Sequence, residues 1–234
     1  PPDALLPKTR LPGRDVSTRG TVLPKMPQFT HVSGLDRLRT GLCHPICKIF
    51  NTMQRIAIIP ARSGSQRIAR KNVKNFLGKP ILAYPIEAAL ASKMFDTVMV
   101  STVDTDIAEL AFQLGASVPF LRSSKNADHF ATTADVLLEV LINYHGRGEQ
   151  YDYTCCLYPT APFTSVQHLQ NAFEHLQEGQ YDCVFPVLEF DYPIQRALKM
   201  EEGKVSMFQP EHLNTRSQDL TPAFHDSGQF YWLN

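Results

Sequence analysis

From residue 54 onward the chain alternates short, unbroken apolar runs with amphipathic stretches, a texture that restricts it to folds in which helices cover a buried sheet. The first run, Ile56-Ala57-Ile58-Ile59-Pro60, is β-branched and free of polar residues, as a central strand buried on both faces requires. Further strands are expected at 97–101, 117–121, 153–158, 182–188 and 228–233. Helices are expected at 80–93, 105–114, 134–144 and 166–176, and a hairpin near Glu202-Gly203-Lys204. Asp104 or Thr105 can cap the second helix and Gly115 can end it, while Pro85 marks a start or a kink in the first. The expected architecture is α/β: a mostly parallel sheet with helices on both faces and ligands bound beyond the carboxyl ends of its strands.

The segment before this alternation differs in kind. Residues 1–52 hold eight of the 23 Lys and Arg residues, three of the 23 Asp and Glu residues and seven of the 17 prolines. They are expected to form an irregular, basic extension, with Met53 as the functional start of a domain spanning 53–234. The formal net charge is therefore zero only as a sum, +5 for the leader offsetting −5 for the rest. A balanced total argues against nucleic acid or an anionic membrane as partner. No run of roughly 18 apolar residues suggests a membrane span, and the start lacks a signal-peptide pattern. Five cysteines, two of them adjacent in an apolar run, make no disulfide framework and fit a reducing cytoplasm. Cys43-His44-Pro45-Ile46-Cys47 lacks the spacing of a zinc site.

The most informative loop follows the first strand. Pro60-Ala61-Arg62-Ser63-Gly64-Ser65-Gln66-Arg67-Ile68-Ala69-Arg70-Lys71-Asn72 places Arg62, Arg67, Arg70 and Lys71 within ten residues. Small residues let backbone amides approach a ligand, and guanidinium forks match phosphate oxygens in pairs. The loop suits a polyphosphate, although it is neither a Walker-type phosphate loop nor a dinucleotide fingerprint.

The run IIPARSGSQRIARKN resembles the signature of the cytidylyltransferases that activate nonulosonic, sialic-acid-like sugars. Further likenesses are Asn75-Phe76-Leu77-Gly78-Lys79-Pro80, Val100-Ser101-Thr102, the stretch 115–122, and Tyr158-Pro159-Thr160-Ala161-Pro162-Phe163. Residues 192–199, 210–220 and 225–232 resemble the branch that acts on pseudaminic acid. The resemblance implies a Rossmann-like nucleotide-diphospho-sugar transferase fold and CTP plus pseudaminate as substrates, in cell-surface glycan biosynthesis. CMP-pseudaminate and pyrophosphate would be the products. Alternatives are another nonulosonic acid, legionaminate or N-acylneuraminate, or a catalytically silent nucleotide-binding module.

By the same resemblance Arg62 and Lys71 serve catalysis by neutralising the triphosphate, and Ser65, Asn72, Arg122 and Thr133, or its neighbour Thr132, help to hold the nucleotide. Gln195, Arg196, Asn214 and Arg216 are the expected sugar-binding residues, because guanidinium pairs bidentately with a carboxylate and the amides can read hydroxyl or acetamido groups. Mg²⁺ is the expected cofactor, with Asp226 as its leading ligand; the plain alternative is an aspartate that caps the turn before Gly228. Asp104 reads as a helix cap, His225 as a hydrogen-bonded structural imidazole, and Phe190, Tyr192 and Phe208 as core. Family members are commonly dimers, so a homodimer is compatible with the resemblance. The chain departs from the family pattern at Gln66, where a lysine is usual, and at Val103, where a carboxylate is usual. It also stops at Asn234, directly after a strand, and is expected to be truncated at its C-terminus.

Overall fold

The computed structural model describes residues 53–62, 68–127 and 131–234. Ser65 and the Cys43 to Cys47 run lie outside them. The strands are β1 (Arg55–Pro60), β2 (Asn75–Phe76), β3 (Lys79–Pro80), β4 (Thr97–Ser101), β5 (Tyr153–Leu157), β6 (Cys183–Val184), β7 (Val187–Glu189), β8 (Leu198–Glu201), β9 (Lys204–Met207), β10 (Phe224–Asp226) and β11 (Phe230–Leu233). The α-helices are α1 (Ala83–Ser92), α2 (Thr105–Gln113), α3 (Thr133–His145) and α4 (Val166–Gly179). None of these is long and apolar enough to cross a membrane.

Five strands form the central sheet in the order β4-β1-β5-β11-β6. β1 pairs in parallel with both β4 and β5, so their carboxyl ends lie side by side. The period-two alternation of a strand then sends its neighbours to opposite faces. Ala57 and Ile59 join Val98, Val100, Cys155 and Leu157 in one core with residues of α1, α2 and α4. Ile56 and Ile58 face the other way, against Met99, Cys156 and Leu137, Val140 and Tyr144 of α3. Both faces are covered, as the sequence predicts.

The register departs from expectation in three places, each with a local cause. β11 runs antiparallel to both β5 and β6, so the sheet is mixed at one side. The run expected at 182–188 is two strands, because Pro186 has no amide to donate and interrupts the ladder. At 117–121 only Ser117 pairs, donating its amide to the Val98 carbonyl at 2.8 Å and accepting from the Val100 amide at 3.0 Å. Pro119, two residues on, again lacks a donor.

The helix boundaries follow their chemistry. Asp104 accepts from the amides of Asp106 and Ile107 and so caps α2, and Gly115 follows the helix at φ +90°. Thr132 and Asp135 form a capping box at the start of α3, and Ser165 and His168 do the same for α4. α1 begins at Ala83 rather than at residue 80, with Pro85 in its first turn, where an amide has no helical partner to lose. Trp232 is fully buried, stacked on Phe95 at 5.1 Å and in contact with Phe173 at 4.7 Å, and its indole N–H donates to the Leu169 carbonyl at 3.1 Å. β11 is thereby bolted to α4.

Between β6 and β11 the chain makes a long excursion. β7 pairs antiparallel with β10, and β8 pairs with β9 through a two-residue turn at Glu202 and Gly203. Both turn residues have positive φ, the requirement of a tight hairpin whose twist matches its strands. This arm buries little. Phe190, Tyr192 and Phe208, expected in the core, are 41%, 59% and 64% exposed, because two-stranded ribbons have no layer to pack against.

Candidate active site at the carboxyl ends of the parallel strands

β1 ends at Pro60, and the Ala61 amide donates to the Ser101 carbonyl at 2.9 Å, prolonging the pairing with β4 by one residue. Arg62 comes next, with its side chain exposed. Its carbonyl accepts from Asn72 Nδ2 at 2.7 Å, which closes the base of the basic loop. Asn72 is 3% exposed, and its backbone carbonyl accepts from the Leu82 amide at 3.1 Å. Its Oδ1 is buried without a partner. Lys71, half-buried, stands beside it at the start of a single 3-10 turn. Among the described residues neither Arg62 nor Lys71 makes an ion pair. Arg70 is diverted: it pairs with Asp106 of α2 at 3.0 Å.

Arg122 is tied to the end of β4. Its amide donates to the Thr102 carbonyl at 2.8 Å, its Nε donates to Ser101 Oγ at 3.0 Å and its Nη2 to the Ser101 carbonyl. Burial, opposed by Glu139 and reinforced by the like charge of Arg62, lowers its pKa to about 10. It therefore remains a cation at neutral pH. Thr133 opens α3 at the same end of the sheet, its Oγ1 3.4 Å from the Tyr158 hydroxyl at the end of β5. Arg62, Lys71, Asn72, Arg122 and Thr133 are thus carried to the carboxyl ends of three adjacent parallel strands.

The four residues expected to read a sugar lie on the arm. Gln195 donates through Nε2 to the Thr221 carbonyl at 2.9 Å, and its Oε1 is buried without a partner. Arg196 is half-buried, Asn214 is exposed, and exposed Arg216 pairs with Asp219 at 2.6 Å. No hydrogen bond or ion pair among the described residues joins these four to the nucleotide-side group.

Asp226 shows the geometry of the plain alternative. Its Oδ1 accepts from the Gly228 amide at 2.7 Å and its Oδ2 from the Tyr231 hydroxyl. Among the described residues no three His, Cys, Asp or Glu side chains converge on one point. The side chains described therefore do not fit a protein-built metal cage around Asp226. His225 is engaged as expected, its Nδ1 bonded to the Asp226 carbonyl at 2.9 Å and its ring against Phe190. Ser101, which anchors Arg122, stands in the sequence only as part of the Val100-Ser101-Thr102 likeness, with no role attached, and Glu139, whose charge acts on Arg122, is passed over. A glutamate in mid-helix carries no motif that would single it out.

A family model described as cytidylyltransferase matches residues 56–231. The pseudaminic acid cytidylyltransferase of Campylobacter jejuni subsp. jejuni serotype O:2 is 44% identical over 181 residues, covering 77% of this chain and 78% of that protein. A Helicobacter pylori protein named pseudaminic acid cytidylyltransferase and UDP-2,4-diacetamido-2,4,6-trideoxy-beta-L-altropyranose hydrolase is 42% identical over 180 residues, 76% of this chain and 34% of its own length. Among solved structures, CMP:2-keto-3-deoxy-manno-octonic acid synthetase complexed with CTP superposes with a TM-score of 0.56 at 18% identity. The superposition covers 77% of this chain and 74% of that one, a likeness of fold.

Proposed function

The chain belongs to the cytidylyltransferase family, and from that premise we propose that it joins CTP to pseudaminic acid, giving CMP-pseudaminate and pyrophosphate. The observation that carries the substrate is the identity of 42 to 44% with relatives named for that sugar. In the reaction the anomeric hydroxyl attacks the α-phosphorus in line with departing pyrophosphate. Such a step is governed by positioning and by neutralisation of charge on the phosphoryl oxygens. Arg62 and Lys71, cations free of ion pairs among the described residues, supply that charge, and Arg122 adds a third cation held in place by Ser101. Ser65 and Asn72 are assigned to the nucleotide with Thr133. Gln195, Arg196, Asn214 and Arg216, on the arm between β6 and β11, are assigned to the sugar.

Mg²⁺ is proposed to accompany the triphosphate, held mainly by phosphate oxygens, since Asp226 is committed to its turn and to Tyr231. The exposed apolar side chains of the arm support a homodimer built on that surface. The enzyme reading is tested by pyrophosphate release from CTP and pseudaminate. Wild-type chain should turn over, and Arg62→Ala should lose about a hundredfold or more in kcat. An unchanged rate in the variant would show that the loop is merely solvated.

A further inference from the structure

Arg122 is 8% exposed and lies close enough to Arg62 for the two cations to oppose one another. A buried guanidinium in that position is costly unless hydrogen bonds and an opposite charge hold it. Ser101 supplies the acceptors. The opposite charge comes from Glu139 on α3, which does not form a direct ion pair with Arg122 but acts on it through space.

The direct contacts of Glu139 are with the segment that leaves Arg122. Oε1 accepts from the Ser123 amide at 2.6 Å, while Oε2 accepts from Ser123 Oγ at 3.0 Å and from Asn126 Nδ2. Asn126 Nδ2 also donates to the Asp135 carbonyl at 3.3 Å. Asp135 in turn completes the capping box with Thr132, next to Thr133. One carboxylate therefore secures the residue after Arg122, the 3-10 turn Ser124–Asn126 and, through Asn126, the first turn of α3. Charge-assisted bonds of this kind are stronger than neutral ones and fix geometry closely.

We propose that Glu139 is a positioning residue for the nucleotide: it holds Arg122 against the end of β4 by clamping the segment that follows, without touching substrate itself. The inference rests on the cytidylyltransferase reading, under which Arg122 faces CTP. A clamp that acts through one substrate's ligand should raise the KM for that substrate and leave the other alone.

The test uses the full chain and measures CTP affinity by calorimetry without sugar, then KM and kcat for both substrates. Glu139→Ala should weaken CTP about tenfold, of the order of one lost charge-assisted hydrogen bond, with kcat and the KM for the sugar changed less than about threefold. Glu139→Gln, which keeps an acceptor for the Ser123 amide and guards against a variant that fails to fold, should fall between. In an Arg122→Ala background the Glu139→Ala change should add nothing further, because two residues acting as a unit are not additive. Equal rises in both KM values, or full additivity with Arg122→Ala, would overturn the proposal. If wild-type chain binds CTP but releases no pyrophosphate with pseudaminate, the substrate reading fails while the calorimetric arm still decides the clamp; absence of CTP binding defeats both.

Discussion

Asp226 is the residue at which two physical roles compete most plainly. A carboxylate next to a predicted strand can hold a divalent ion or can accept from the amides of its own turn. Here it accepts from Gly228 N and from the Tyr231 hydroxyl. Burial and that bond push the Tyr231 hydroxyl well above the usual tyrosine range, so it stays a donor throughout the physiological range. Asp226→Asn keeps an acceptor for the Gly228 amide and weakens only the second bond. It should cost about 1 kcal/mol in stability by chemical denaturation and leave the Mg²⁺ concentration for half-maximal rate unchanged. A tenfold rise in that concentration would restore Asp226 as a metal ligand.

Thr132, Asp135 and Glu139 show how local bonds at one helix become a pH dependence of the element. The hydrogen bonds from Thr132 hold the Asp135 carboxyl below its ordinary value. For Glu139, burial works upward, but the bonds from Ser123 and Asn126 and the charge of Arg122 outweigh it, and the net shift is downward. A carboxylate with a lowered folded-state pKa stabilises above its unfolded pKa and loses that contribution as pH falls through the folded one. Protection factors for amide exchange in α3 and in the 122–127 segment, with the intrinsic pH dependence divided out, should therefore be flat from neutrality down to roughly pH 5 and fall below roughly pH 4. A fall in protection already near pH 6 would contradict this assignment. At the other end of the sheet, Trp232→Ala should cost about 3–5 kcal/mol by unbolting β11 from α4.

How far the elements can be read from sequence follows from the range of the forces involved. Caps are local, so Asp104 and Gly115 announce α2 without any tertiary information. The direction of β11 is not local: Phe230 to Leu233 reads as a buried strand in either orientation, and only its partners β5 and β6 decide. The same limit hides the exposure of Phe190, Tyr192 and Phe208, which look like core until the two-stranded arm denies them a second layer. For the site, Arg62 and Lys71 are legible as a dense basic loop after a buried strand. The roles of Ser101, seen in the sequence only within a family-like run, and of Glu139 are not, because they depend on Arg122, 21 and 17 residues away along the chain.

On the scale of the whole molecule, the zero net charge conceals an asymmetry. Arg62, Lys71 and Arg122 are gathered at one end of three parallel strands, while exposed apolar side chains concentrate on the arm, among them Leu198, Met200, Val205, Phe208 and Leu213. If that surface pairs two copies, light scattering should give twice the mass of the 26.4 kDa chain, and Met200→Asp with Val205→Asp should return it to the monomer. A wild-type monomer at micromolar concentration would remove the homodimer.

The central claim is a chemical one: the strand-end cations serve CTP and the sugar is pseudaminic acid. It is met most directly by competing equal amounts of pseudaminate, legionaminate, N-acetylneuraminate and 3-deoxy-manno-octulosonate for CTP and weighing the products by mass spectrometry. The account predicts CMP-pseudaminate as the dominant product, with stoichiometric pyrophosphate. A product formed only from 3-deoxy-manno-octulosonate, or none from any of the four, would contradict it.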